Sequence, residues 1–147
     1  MASRLHLLLV DDNVADVYLA REAFERHADH IQLSVCQSGH DALACLCDTQ
    51  APPPDLIVLD INMPGMDGFD VLEAIKADPG LVHLPVVMLS ASDNPADVTR
   101  AYSLRASAYV VKAHDFATFL QQIDALVGFW TLCRVSGKPL RAQGRGL

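Results

Sequence analysis

Short apolar runs alternate with longer amphipathic stretches along this chain. LHLLLV (5–10), IQLSVC (31–36), DLIVLD (55–60), PVVMLS (85–90) and SAYVVK (107–112) have strand length, and three of them are almost continuously apolar. Such continuity is what a parallel strand covered on both faces requires. Between the runs the period changes. Val14, Val17, Tyr18 and Phe24 recur at helical spacing, and Phe116, Phe119, Leu120, Ile123, Leu126, Val127 and Trp130 follow a 3, 1, 3, 3, 1, 3 step.

The punctuation agrees with this alternation. Ser38-Gly39 precedes the second helix and Pro52-Pro53-Pro54 follows it, Asp78-Pro79-Gly80 ends the third, and Asn94-Pro95 opens the fourth. Five βα repeats result. Right-handed crossovers fold such repeats into a doubly wound α/β sheet, for which the strand order 2-1-3-4-5 is predicted.

Composition narrows the function. The 147 residues suit one domain, and with 51% hydrophobic and 20% charged residues they can bury a single core. A net charge of −7 argues against nucleic acid or an anionic membrane as direct partner and favours a metal cation or a basic protein surface. The apolar run at the N-terminus spans only Leu5 to Val10 before two acids, too short for a signal peptide or a membrane span, so a cytoplasmic protein is expected. Cys36, Cys45, Cys47 and Cys133 lack metal-site spacing and are expected to be buried free thiols. After Cys133 the periodicity stops, and residues 134–147 carry Arg134, Lys138, Arg141 and Arg145 with no acid. This segment reads as a solvated basic tail, with docking by its four cations as the alternative.

In an open parallel sheet, functional groups gather outside the carboxyl ends of the strands. The first run ends in Asp11-Asp12, the third in Asp60 followed by Ile61-Asn62, the fourth in Ser90 and the fifth in Lys112. Three converging carboxylates repel one another and recruit a hard cation with oxygen ligands, for which Mg2+ is the expected occupant. Together with the Ser90 hydroxyl and the Lys112 ammonium, that set matches the equatorial oxygens of a transferring phosphoryl group. Each residue also has a simpler reading: Asp12 or Asn13 as a helix cap, Asp60 in a turn, Ser90 as a loop cap, Lys112 as an ordinary exposed lysine. Their joint placement at the functional ends of the strands favours the chemical reading.

These residues carry a resemblance. LLLVDD (7–12), LIVLDINMPGMDGFDVL (56–72), VVMLSAS (86–92) and YVVK (109–112) resemble, in order and spacing, the receiver domains of two-component response regulators, over residues 4–133. The resemblance implies a flavodoxin-like receiver fold with Asp60 as phosphoacceptor, charged from a phosphohistidine on a sensor histidine kinase. It implies Asp11, Asp12, Asp60 and the backbone carbonyl of Asn62 as the Mg2+ set, with Asp11 acting through water. It also implies Ser90, Ala91 and Lys112 as the phosphate-binding group, and Ser90 with Tyr109 as the switch that biases an α4-β5-α5 face. Gly65 and Gly68 have a physical reason of their own, because the loop after Asp60 must turn sharply and then start a helix, and Pro64 stiffens it.

Two finer features, VDDNVADVYLAREAF near the start and GFWTLCRV near the end, resemble the stand-alone regulators that partner phytochrome-type, light-sensing histidine kinases. The chain departs from the wider family at one position. Proline usually follows the lysine, in a cis peptide bond, and here residue 113 is alanine. Either Lys112-Ala113 is held cis, at about 2.5 to 4 kcal/mol, or the loop rearranges. Members of the phytochrome-linked subgroup also tend to lack that proline.

A switch of this kind signals through a protein surface to a downstream partner and does no catalysis beyond Mg2+-dependent autophosphorylation and autodephosphorylation. Phe129 and Leu132, with Phe116 or Tyr109, are the expected apolar patch, and a homodimer would cover it. The alternatives are a receiver-like scaffold that never takes up phosphate, supported by Ala113, a magnesium-dependent aspartyl phosphatase and a flavin carrier. The phosphatase would need a general acid where Asn62 has only an amide. The flavin carrier would need a phosphate cradle where Asp11-Asp12-Asn13 is acidic.

Overall fold

The computed structural model describes residues 4–132. Cys133 and the basic segment 134–147 lie outside the described residues. The order of elements is β1 (Leu5–Val10), α1 (Val14–Glu25), β2 (Ile31–Cys36), α2 (Gly39–Cys47), β3 (Leu56–Leu59), α3 (Gly68–Ala77), β4 (Val86–Ser90), α4 (Pro95–Ser103), β5 (Ala108–Val111) and α5 (Phe116–Leu132). All strand pairs are parallel and the sheet order is β2-β1-β3-β4-β5, as the alternation predicts.

Two-residue periodicity divides each strand between two cores. Leu7, Leu9, Leu56, Val58, Val87 and Leu89 face one side, where Phe24 of α1 and Phe119, Ile123 and Val127 of α5 cover them. Leu8, Val10, Ile57, Leu59, Val86 and Met88 face the other, under Ala42 of α2, Phe69, Leu72 and Ile75 of α3, and Ala101 of α4. Every residue of β3 and β4 is buried, which is why their sequences read as unbroken apolar runs. Each such Leu or Ile contributes about 1.5–3 kcal/mol through burial, so the sheet centre is where most of the core's stabilisation is concentrated.

Helix starts follow the capping chemistry. The side chains of Asn13, Ser38, Asp67 and Asn94 accept from backbone N–H groups in the first turns of α1, α2, α3 and α4. Asp67 and Asp70 form a reciprocal capping box, and Pro95 sits in the first turn of α4. No helix of the described residues is long and apolar enough to cross a membrane.

Two expectations are corrected. The buried face of α1 is Val17, Ala20, Ala23 and Phe24, whereas Val14 and Tyr18 are 72% and 62% exposed. Apolar spacing counted the two large residues and passed over the alanines that lie against the sheet. Among the described cysteines none is buried: Cys36 is half-buried, and Cys45 and Cys47 are exposed on α2, which meets the core through Ala42, Leu43 and Leu46.

Candidate functional site

The sheet fixes the site through its own backbone bonds. Asp11 N–H donates to Cys36 O at 3.1 Å, Asp60 N–H to Val10 O at 2.9 Å and Lys112 N–H to Ser90 O at 2.7 Å. Each of these residues thus continues the ladder by one step beyond its strand and is held as firmly as the strand itself. Carboxylate oxygens of Asp11, Asp12 and Asp60 lie within 4.8 Å of one another. Asn13 N–H donates to Asp11 Oδ1 at 2.9 Å, and Asn13 Oδ1 accepts from Asp16 N–H at 2.9 Å. Capping of α1 therefore falls to Asn13, and Asp12 is left to face the cluster.

The electrostatics show a site short of positive charge. Burial, reinforced by the charge of Asp11, pushes the Asp60 carboxyl up to about 6 against the pull of Lys112 and the Ile61 N–H. Burial likewise raises Asp11, opposed by the Asn13 N–H and by Lys112. For Lys112, burial acts to lower the ammonium, but the Asp11 charge and the hydrogen bond to Asp16 outweigh it and the pKa is raised. One ammonium against three clustered carboxylates leaves net negative charge in a partly dry site. Hard oxygen donors at this spacing fit a divalent cation.

The loop after Asp60 is shaped by close approach. Gly65 has φ +74°, the left-handed region that glycine adopts without cost. Gly68 is constrained differently: a Cβ there would lie 2.3 Å from Asp60 O and 2.7 Å from Ile61 Cα. Its N–H donates to Ile61 O at 2.9 Å. The start of α3 is therefore packed directly on the backbone that carries Asp60.

A cleft of about 580 Å³ opens above the cluster, lined by Asp12, Asn13, Asp16, Asp60, Asn62, Ala91 and Lys112 among others. Ser90 is fully buried and not part of that lining, and its hydroxyl accepts from Ser92 N–H at 3.2 Å. Tyr109 is half-buried, and its hydroxyl donates to Ser92 O at 2.8 Å. Its backbone N–H donates to the Tyr102 hydroxyl on α4 at 3.1 Å. Ser92 thus links the residue predicted to meet phosphate with the residue predicted to switch.

The Lys112-Ala113 peptide bond is trans, as is every other among the described residues. Lys112 Nζ lies 3.1 Å from Asp16 Oδ2 and 3.4 Å from Asp11 Oδ2. Asp16 was legible only as an acid in the first turn of α1. Its position four residues after Asp12 puts it one turn above the cluster, which is the signal that could have found it. The predicted surface residues are exposed, Phe116 by 40%, Phe129 by 60% and Leu132 by 84%. Phe116 and Phe129 are separated by about 20 Å along α5 at 1.5 Å per residue, so they belong to opposite ends of that helix.

Comparison with known proteins agrees with this architecture. Residues 7–124 match the family model described as response regulator receiver domain. Response regulator Rcp1 of Synechocystis sp. (strain ATCC 27184 / PCC 6803 / Kazusa) is 34% identical over 128 residues, covering 84% of this chain and 87% of its own length. The Mn2+-bound form of Rcp1 superposes with a TM-score of 0.81 at 32% identity over 88% of this chain and 96% of that one. The phosphorylated cyanobacterial phytochrome response regulator RcpA superposes with a TM-score of 0.83 at 34% identity, over 88% of this chain and 96% of its own. The bacteriophytochrome response regulator AtBRR does so at 0.70 and 33% identity, over 90% and 99%. With the family model, the sheet order and the acidic cluster in agreement, the chain belongs to the response regulator receiver domain family.

Proposed function

We propose that this protein accepts a phosphoryl group on Asp60 from the phosphohistidine of a sensor histidine kinase and signals through a phosphorylation-dependent protein surface. The observation that carries the reading is the convergence of Asp11, Asp12 and Asp60 within 4.8 Å beside Lys112, at the mouth of a cleft large enough for a phosphoryl group. Asp60 Oδ forms the new O–P bond as the N–P bond of the donor breaks, and the departing imidazole takes up a proton. Asp11, Asp12, Asp60 and the Asn62 carbonyl would hold Mg2+, which when bound neutralises the charge brought together by donor and acceptor. Lys112 then leaves Asp16 to meet a phosphoryl oxygen, Ala91 lines the same oxygens, and Ser90 turns from Ser92 N–H to donate to another. That turn releases Ser92 and, through it, Tyr109. Asn62 and Ser92 flank the path of an attacking water, so the phosphoryl group is also lost by hydrolysis.

The phytochrome-linked relatives support a light-sensing kinase of bacteriophytochrome type as the donor. The reading places the protein in the cytoplasm, with a downstream protein as its target and a homodimer formed through Phe129 and Leu132. Residues 4–133 are its receiver domain and 134–147 a basic tail.

The test is intact mass after incubation with a small phosphodonor, with and without Mg2+, for the native protein and Asp60→Asn. A Mg2+-dependent gain of one phosphoryl group, absent in the variant, is expected. No gain in a folded, Mg2+-binding protein would replace the reading with a receiver-like scaffold.

A further inference from the structure

At the end of β5 the chain meets a requirement that its neighbours in the sheet do not. β5 is the sheet edge, so only one side of its backbone has a partner strand. Lys112 N–H is used inward, on Ser90 O. The backbone groups of Val111 and Ala113 therefore point outward, where no strand follows.

One group of each is taken by the same side chain of α5. Gln122 Nε2 donates to Val111 O at 2.7 Å, and Gln122 Oε1 accepts from Ala113 N–H at 3.0 Å. A carboxamide has the donor and acceptor spacing of a peptide group, so Gln122 stands in for one residue of a missing strand. It grips the residues before and after Lys112 from outside, while Ser90 O holds Lys112 N–H from the sheet side, and it makes no contact with the lysine side chain. The arrangement depends on residue 113 having an N–H, which proline lacks. Gln122 is half-buried and anchored one position before Ile123, which is only 1% exposed.

We infer that Gln122 is a positioning residue for Lys112: its carboxamide fixes the trans Val111-Lys112-Ala113 backbone so that the ammonium reaches the phosphoacceptor site without a proline at 113. The inference deepens the phosphoacceptor reading and rests on it for its kinetic consequence. The backbone bonds it describes are independent of that reading.

The experiment compares four proteins: native, Gln122→Ala, Lys112→Ala and the double variant. Phosphorylation by a small phosphodonor at saturating Mg2+ is followed by intact mass over hours, with Mg2+ affinity measured alongside. Gln122→Ala is expected to slow acceptance by roughly tenfold or more, the scale of a reacting group displaced by a fraction of an ångström to an ångström. Mg2+ affinity should stay within about twofold, because the cation's ligands lie on other strands. In the Lys112→Ala background the same change should slow acceptance no further, since its effect passes through the lysine. A native rate in Gln122→Ala, or equal slowing in both backgrounds, overturns the inference. NMR supplies the second readout, through the Lys112 Nζ shift and amide exchange at Ala113. Both should change in Gln122→Ala, and unchanged signals overturn the inference whether or not phosphate is taken up. A native protein that takes no phosphate, with both NMR signals moved by Gln122→Ala, defeats the phosphoacceptor reading and leaves the positioning intact.

Discussion

The Lys112 ammonium sits closer to Asp16 Oδ2, at 3.1 Å, than to Asp11 Oδ2, at 3.4 Å. The lysine is thus shared between the acidic cluster and a carboxylate one helical turn outside it. Asp16 competes with an incoming phosphoryl group for the same donor. The Asp16 side chain is 38% exposed, so the competition is weakened by solvent, and pairs of this kind are worth about 0.2–1 kcal/mol. Asp16→Asn is expected to raise the phosphorylated fraction at a fixed donor concentration by up to roughly fivefold. Time courses of intact mass check it, and an unchanged or lower fraction would show that Asp16 presents the lysine instead of detaining it.

The Asp60 carboxyl gives a pH dependence with a definite sign. Its folded value of about 6 lies above the ordinary 3.8, so the metal-free folded state holds this proton more tightly than the unfolded chain does. Stability from this source is full below the unfolded value and is lost as pH rises through about 6. The shift corresponds to roughly 3 kcal/mol at neutral pH. Metal-free Asp60→Asn should therefore be more stable than the native protein at pH 7 by an amount of that order, with the difference closing toward pH 4. Denaturant melts across this range measure it, and saturating Mg2+ should restore much of the native protein's deficit.

Gly68→Ala tests the packing of α3 on the acceptor backbone. The added methyl would meet Asp60 O and Ile61 Cα, both backbone atoms that cannot rotate away. Overpacking of this kind costs about 1–3 kcal/mol. The chemical consequence is the more specific one: Asp60 must shift relative to Asp11 and Asp12, and Mg2+ affinity should fall along with the melting temperature. A variant that loses stability but binds Mg2+ like the native protein would show that the loop, and not Asp60, gives way.

Much of this architecture could be read from residue order. Parallel strands buried on both faces leave continuous apolar runs, and the strand ends Asp11, Asp60 and Lys112 converge because the sheet topology leaves them no other place. What escaped the sequence depended on distances between elements. Asp16 looks like any acid in a first helical turn until Lys112 is seen beside it. Gln122 lies nine residues from Ala113, on a helix whose apolar stripe drew attention to its neighbours. Val14 and Tyr18 share the helical period of α1 but not its buried face, because alanines there allow the helix to approach the sheet.

A homodimer formed through the end of α5 would be broken by charge. Phe129 and Leu132 lie at the exposed C-terminal end of α5, and Phe129 packs edge-on against Trp130 at 5.2 Å. Replacing both Phe129 and Leu132 by Glu should shift sedimentation from dimer to monomer and leave phosphorylation of Asp60 unchanged. A native protein that sediments as a monomer at every concentration, phosphorylated or not, removes the dimer from the account.

The exposed side of β5 has a consequence beyond the site. Tyr102 from α4 takes the Tyr109 N–H, and Gln122 from α5 takes the Val111 carbonyl and the Ala113 N–H. Two flanking helices thus occupy three of the backbone groups that an open edge would offer another chain. Copies of this protein cannot extend the sheet across β5 without first breaking those bonds, so self-recognition on this side is limited to side chains. Edge-to-edge growth of the kind that leads to aggregates is thereby hindered on this side of the sheet.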